Sequence, residues 1–381
     1  FSALLGFARR RTGSALTGFF MHGLFRPPDV PVVSHFITCA PPESSRRPLL
    51  YRMLCRILGY ASSPPLPARR MYVHGSIALV FFALFLSACN DTGGPPLPEN
   101  RVSTPEGFEV QGHRGARGLM PENTIPAFQQ AIDLGVHTVE MDVVVSADSQ
   151  LIVSHEPWFH HHISTTPEGD PVAEAEAADY NIFEMTVDEV QAFDVGRRSH
   201  PRFPEQQTLE AVKPTLRAAI EAMEDHVAAH GVAPLRYNIE TKSRPAWYDT
   251  YQPQPDVFAE LLRDELQDLG VLDRTIIQSF DPATLVAFRE LTDAGATALL
   301  VSAASNIEPA MSALGFTPDI LSPNYKMVDE DLLADAQAAG MRVIPWTVNE
   351  PPAMERLIAL GVDGLITDYP DRIVGRPLLA E

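Results

Sequence analysis

The sequence predicts a (β/α)8 barrel, in which eight parallel strands are each followed by a helix. Three observations point to it. Eight short apolar, β-branched runs alternate with segments of helical periodicity. Several of the helical segments stop at glycine, which suits a left-handed cap. The first run opens into a Gly-rich turn carrying His113 and Arg114 before a helix begins, the strand–turn–helix order from which a barrel builds its active face. An open doubly wound sheet shares the alternation but usually has five or six strands.

Taken in order, residues 1–70 lack periodicity and are scattered with Arg and Pro, so they are expected to be an upstream segment rather than a domain. Residues 71–88 contain an apolar core from Ile77 to Leu86, too short to span a bilayer but suited to the h-region of a signal peptide. Its n-region has no Lys or Arg after Met71; Arg69 and Arg70 stand just before it. Leu86-Ser87-Ala88-Cys89 is similar to a bacterial lipoprotein processing box, which makes Cys89 the expected lipidated N-terminus of an exported protein. Asn90 follows Cys89, which by the same likeness favours the outer membrane within the periplasm and cell envelope. Residues 89–107 form a Pro/Gly/Asn/Thr-rich tether with little to bury. The barrel domain is expected over 108–381.

Its strands are predicted at 109–113, 138–145, 235–241, 275–280, 297–302, 319–323, 342–347 and 363–367. The helices are predicted at 124–134, 208–230, 256–269, 282–294, 307–314, 329–339 and 351–360, with Gly135, Gly270, Gly295, Gly315, Gly340 and Gly361 as stops. One polar, Pro- and His-containing stretch, about 156–207, breaks the alternation. It reads as an insertion after strand two on the active face, with a short helix near Val187–Phe193.

Composition narrows the partners. Ten of the 29 basic residues but only two of the 49 acidic ones precede Cys89, so the rest of the chain carries a net charge of −28. Such a chain repels nucleic acid and anionic membrane surfaces, leaving the anchor on Cys89 as its route to a membrane. The cysteines are Cys39, Cys55 and Cys89, so the barrel has neither a thiolate nucleophile nor a zinc–thiolate site.

Candidate chemistry follows from strand periodicity. Residues i and i+2 of a strand point the same way. Glu140 and Asp142 therefore project together from strand two, as do Glu240 and Lys242 at the end of strand three. One such pair alone fits a solvated face. Two on successive strands among apolar neighbours gather three acids, which repel one another unless a cation joins them. Oxygen ligands favour Ca²⁺ or Mg²⁺ over Zn²⁺. Lys242 is one of three lysines in the chain and suits either a phosphate or an ion pair with Glu240. His113 and His155 end neighbouring strand segments, and two histidines can divide acid and base roles near neutral pH. The run His160-His161-His162 sits in a loop without paired acids and is expected to be solvated or at the substrate rim.

These residues resemble the signature of the glycerophosphodiester phosphodiesterase family. The likeness runs over about 108–372: His113-Arg114-Gly115, Pro121-Glu122-Asn123-Thr124, Glu140-x-Asp142, His155, Glu240-x-Lys242, Gln278-Ser279-Phe280, Trp346-Thr347-Val348-Asn349 and Thr367-Asp368-Tyr369-Pro370. The resemblance implies one divalent cation on Glu140, Asp142 and Glu240, with His113 and His155 as the acid/base pair. It also implies that Arg114 and Lys242 steady the phosphate, and that Phe280 and Trp346 line the glycerol side. The implied reaction releases glycerol 3-phosphate and an alcohol from a glycerophosphodiester. One departure stands out: Glu156 follows the second histidine, where the family usually has Asp. Two other readings stand beside it: a phosphoinositide-type phospholipase C, and a surface lipoprotein that keeps the barrel only to bind.

Overall fold

A computed structural model describes residues 102–231 and 233–373. The expectations for residues 1–70, the signal peptide, Cys89 and most of the tether lie outside these residues.

The strands are β1 (Glu109–Gly112), β2 (Thr138–Val145), β3 (Leu151–Val153), β4 (Arg236–Thr241), β5 (Thr275–Ser279), β6 (Ala296–Val301), β7 (Ile320–Pro323), β8 (Arg342–Val343) and β9 (Gly364–Thr367). Eight of them run parallel in the order β8-β7-β6-β5-β4-β2-β1-β9. The seam between β8 and β9 is closed by backbone bonds from Asp363 N to Val343 O (3.0 Å), Ile366 N to Pro345 O (2.9 Å) and Val348 N to Ile366 O (2.9 Å). The result is the (β/α)8 barrel. Strand eight is shorter in regular pairing than the expected 342–347, because Pro345 has no N–H to donate.

Alternation along the strands sorts side chains into two layers. Val139, Met141, Tyr237, Ile239, Ile277, Leu299 and Leu365 face the main core that the helices pack against. Ile276, Ala298, Ile320, Ile344 and Ile366 form a separate cluster. On β1, β2 and β4 the alternate positions are polar instead. Thr138 Oγ1 and Gln111 Nε2 donate to Glu109 Oε1 (2.6 and 2.9 Å), and Asn238 Nδ2 donates to Gln111 Oε1 (2.6 Å). These bonds satisfy most of the buried groups, which makes their burial tolerable, while Asn238 Oδ1 is left without a partner.

The α-helices are α1 (Ile125–Asp133), α2 (Val187–Gln191), α3 (Leu216–His230), α4 (Pro255–Asp268), α5 (Pro282–Leu291), α6 (Ile307–Leu314), α7 (Glu330–Ala338) and α8 (Pro351–Leu360). α2 lies in the insertion, started by a capping box between Thr186 and Glu189. α3 is shorter than the expected 208–230. Pro214 keeps the residue before it extended, and the Thr215 side chain caps the helix by accepting from Ala218 N. α5 likewise ends at Leu291 rather than 294, at an extended Thr292. α6 and α8 close at Gly315 and Gly361, as expected, in the left-handed region. No helix among the described residues is long and apolar enough to cross a membrane.

Strand two does more than the alternation implied. It pairs with β4 from Thr138 to Val143, then leaves the barrel and turns back as a hairpin. β3 returns antiparallel, with Val143 opposite Val153. This short strand was not among the eight expected. The insertion therefore starts from a hairpin rooted in β2, and its own core holds Ile152, Phe159, Ile182 and Phe193.

Candidate active site

The acids come together through the ladder register. Asp142 lies opposite Glu240, and Glu240 opposite Gln278. With Glu140 two residues before Asp142, one carboxylate oxygen from each of Glu140, Asp142 and Glu240 falls within 4.8 Å of the others. Gln278 Nε2 donates to Glu140 Oε1 at 2.7 Å. Asn123 Nδ2 donates to Asp142 Oδ2 at 2.8 Å, and Lys242 Nζ donates to Glu240 Oε1 at 2.6 Å. Asp142 Oδ1 is buried without a hydrogen bond, with Lys242 Nζ 3.5 Å away. A site of three carboxylates with one oxygen left open fits a single hard cation.

The turn after β1 is shaped for close approach. Gly115 has φ 84°, and a Cβ there would meet the backbone of Ala127 at 2.6 Å. Arg114 takes φ 51°, unusual for a side chain of its size. In that conformation its N–H donates to Glu140 Oε2 at 2.7 Å. Its guanidinium reaches Glu122 Oε1 at 2.7 Å and stands 3.2 Å from Asp142 Oδ2. Such a backbone costs about 1–3 kcal/mol and persists only where surrounding contacts enforce it.

Each histidine has a carboxylate at its Nδ1. His113 Nδ1 lies 2.6 Å from Asp368 Oδ1, and His155 Nδ1 lies 2.6 Å from Glu156 Oε1. An ionised carboxylate only accepts, so Nδ1 carries the proton and Nε2 is left for chemistry. His113 Nε2 sits 4.0 Å from Glu140 Oε2. Arg117 binds Asp368 through Nε (2.8 Å) and Nη2 (3.1 Å), and Asn349 Nδ2 adds a bond at 2.7 Å. Glu156 thus takes the position of a histidine-orienting acid despite its extra methylene.

Burial sets the electrostatics. It pushes His113 down to about 4, helped by Arg117 and opposed by Asp368. Burial, Arg114 and Lys242 also lower His155. Burial and the charge of Asp142 hold Glu140 well above the usual carboxylate range. Burial raises Glu240 to about 7 against the pull of Lys242. Burial works to raise Asp142 as well, but Arg114 and Lys242 overcome it and hold that carboxyl well below its ordinary value. Without a further positive charge, the cluster resists full ionisation.

A cavity of about 220 Å³ at the C-terminal ends of the strands collects eight of the nine expected residues: His113, Arg114, Glu140, His155, Glu240, Lys242, Phe280 and Trp346. Asp142 lies fully buried behind them. Phe280 and Trp346 form one wall, their rings edge to face at 5.4 Å, with Phe280 40% exposed. His160, His161 and His162 stack on one another in the insertion (4.1–4.8 Å between centroids), and His162 contacts His200. A larger cavity, about 530 Å³, opens around Glu109 and Arg236 at the opposite strand ends. None of the nine expected site residues lines it, and barrel chemistry belongs to the C-terminal face.

Sequence reasoning left Asp368, Arg117, Glu122, Asn123 and Gln278 without a role. Asp368 was quoted only as part of a closing motif, yet it follows the last barrel strand directly, the position from which barrels place functional groups.

A buried acidic cluster and two carboxylate-backed histidines thus meet at the mouth of a (β/α)8 barrel. The chain belongs to the glycerophosphoryl diester phosphodiesterase family, whose model matches residues 113–372, and it is an enzyme of that class. It is 28% identical over 265 residues to the glycerophosphodiester phosphodiesterase of Caldanaerobacter subterraneus subsp. tengcongensis, covering 70% of this chain and 96% of that one. A Bacillus subtilis glycerophosphodiester phosphodiesterase is 27% identical over 305 residues, covering 77% and 95%. Among solved structures, one from Silicibacter pomeroyi, provisionally assigned to the same activity, superposes with a TM-score of 0.62 at 29% identity, covering 74% of this chain and 94% of that one. A phosphodiesterase of Oleispira antarctica, solved with the product sn-glycerol 3-phosphate, has a TM-score of 0.55 at 23% identity, covering 71% and 97%. The family match favours this class over the phospholipase C and binding-module readings.

Proposed function

We propose that the protein hydrolyses glycerophosphodiesters to glycerol 3-phosphate and an alcohol. In this reading it uses one divalent cation, Ca²⁺ or Mg²⁺, on Glu140, Asp142 and Glu240, with His113 and His155 as the acid/base pair. The observation that carries it is the meeting of two carboxylate-backed histidines with a cluster of three buried carboxylates, of which Glu140 and Glu240 line the same cavity and Asp142 lies behind them. The product held by the Oleispira antarctica phosphodiesterase supports the substrate class. When bound, the cation supplies charge neutralisation for the phosphoryl oxygens and acidifies a nearby hydroxyl.

The protein's own groups do the rest. Arg114 and Lys242 steady the phosphate, while Phe280 and Trp346 pack against the glycerol. One histidine removes the proton from the substrate's glycerol hydroxyl, which attacks phosphorus. The other gives a proton to the departing alcohol, leaving a cyclic phosphate. Water then opens the ring with the two roles reversed. Asp368 and Glu156 keep Nδ1 protonated throughout, so each Nε2 exchanges the proton. Export with a lipid on Cys89 is part of the same reading.

A coupled assay for glycerol 3-phosphate over a panel of glycerophosphodiesters, with and without chelator, tests this. Expected is chelator-sensitive release restored by Ca²⁺ or Mg²⁺. Activity that survives exhaustive chelation would remove the cation. Release of inositol phosphate instead of glycerol 3-phosphate would restore the phospholipase C reading.

A further inference from the structure

Lys213 is a buried cation that the reaction outlined above does not use. The chain prefers arginine, with 26 Arg against three Lys, yet two of those lysines are buried near the site. Lys242 has carboxylate partners at 2.6 and 3.5 Å. Lys213 has no direct ion pair among the described residues. Its Nζ donates to Ser154 Oγ at 2.6 Å and lies 5.2 Å from the centroid of the Phe159 ring. A buried ammonium so lightly paired costs more than an apolar side chain of the same volume.

Its surroundings point to His155. Ser154 Oγ passes the contact on by donating to Glu156 O at 2.6 Å, and Ser154 N donates to Asp142 O at 2.9 Å. His155 lies between these two residues, with its Nδ1 on the Glu156 carboxylate. The segment carrying Lys213 is itself fixed against β3, since Val153 N donates to Pro214 O at 2.8 Å and Ile152 bridges to Thr215. We propose that Lys213 is a positioning residue for His155: it holds the Ser154 hydroxyl, which in turn holds the Glu156 backbone whose carboxylate sits on the imidazole. Burial lowers the Lys213 ammonium to about 8, and Glu156 is the carboxylate that does most to oppose this.

This inference rests on His155 being one of the acid/base pair. Steady-state kinetics of the full chain, at saturating Ca²⁺ or Mg²⁺, test it through Lys213→Met, Ser154→Ala, Glu156→Gln, the Lys213→Met/Glu156→Gln double variant and His155→Ala. Thermal melts establish that each variant is folded. Lys213→Met should lower kcat by about 10–100-fold, the usual cost of losing a group that orients a functional histidine, with KM and cation affinity within about threefold. Ser154→Ala, which removes one hydroxyl, should lower kcat in the same direction. The double variant should lose little more than Glu156→Gln alone, because the two residues act on one imidazole. The proposal is overturned if His155→Ala is inactive while folded Lys213→Met stays within twofold of wild type. It is also overturned if the two losses multiply in full, or if the Lys213→Met loss follows KM or cation affinity. A fully active His155→Ala would instead remove the two-histidine reading itself, and this proposal with it.

Discussion

Replacing Asp368 with Asn isolates what the carboxylate behind His113 contributes. The side chain is fully buried and nearly isosteric with Asn, so no cavity opens. Asp368 serves three donors: His113 Nδ1 at 2.6 Å, the Arg117 guanidinium at 2.8 and 3.1 Å, and Asn349 Nδ2 at 2.7 Å. Asn offers one acceptor oxygen where the carboxylate offers two, and it carries no charge. Arg117 would be left with Glu122, 3.5 Å away. Breaking one side of a buried ion pair costs about 3–5 kcal/mol, so a clear fall in Tm is expected. Nδ1 of His113 would lose the group that keeps it protonated, and with it the tautomer that frees Nε2. The catalytic cost should be roughly 10²–10⁴-fold in kcat, the range for a disabled proton-transfer group. The assay is release of glycerol 3-phosphate at saturating substrate and cation, well below the melting temperature of the variant. Arg117→Leu serves as the control: it breaks the same ion pair but leaves the His113–Asp368 contact in place, so it should destabilise with a smaller loss of kcat. A folded Asp368→Asn enzyme within threefold of wild-type kcat would refute the reasoning.

Three further outcomes are expected. Without divalent cation, thermal stability should decline as pH rises from about 4.5 to 7 and level off above that, because Glu240 is pushed up to about 7 when folded against 4.5 when unfolded, so its ionisation favours the unfolded chain; melts with chelator should show the decline, and added Ca²⁺ or Mg²⁺ should abolish it. His160→Ala, His161→Ala and His162→Ala should each change turnover far less than His113→Ala or His155→Ala, which should lower it by roughly 10²–10⁴-fold; equal losses across all five would show that the stacked run takes part in the chemistry. Wild-type protein should partition with membranes after export and Cys89→Ser should not, and recovery of unprocessed wild-type chain with residues 71–88 intact would remove the anchor.

Much of this architecture could be read along the chain because it rests on local rules. Alternation placed Glu140 beside Asp142, and strand endings placed His113 and Lys242 at one face. The polar stretch after His155 was recognisable because it lacked either period. The remainder depended on pairings distant in sequence. His113 and Asp368 are 255 residues apart, and no spacing rule joins them. Leu151–Val153 is only three residues long, too short to separate from loop by alternation, and its strand identity comes from the returning β2 edge. Residues 208–215 carry apolar positions that fit a helical period, yet Leu209 and Ala211 bond to the backbone of Gly196 and Val195, and Pro214 and Thr215 to β3, so the helix starts only at Leu216. Glu156 looked like a departure in sequence, and only geometry showed that its carboxylate still reaches His155.

The hairpin that leaves the barrel at Val143 fixes where a graft could be cut. Its outgoing arm bears Glu140 and Asp142, and its returning arm ends one residue before Ser154 and two before His155. Anyone exchanging the insertion with that of a relative would find the exposed turn at 147–150 an accessible junction. A chimera joined there would replace His155, Glu156 and Lys213 together with the mouth. The separable piece begins only after Phe159, whose ring lies beside the Lys213 ammonium, and ends before Lys213, so a library confined to 160–212 would vary the substrate entrance while leaving the proton-handling parts of the parent in place.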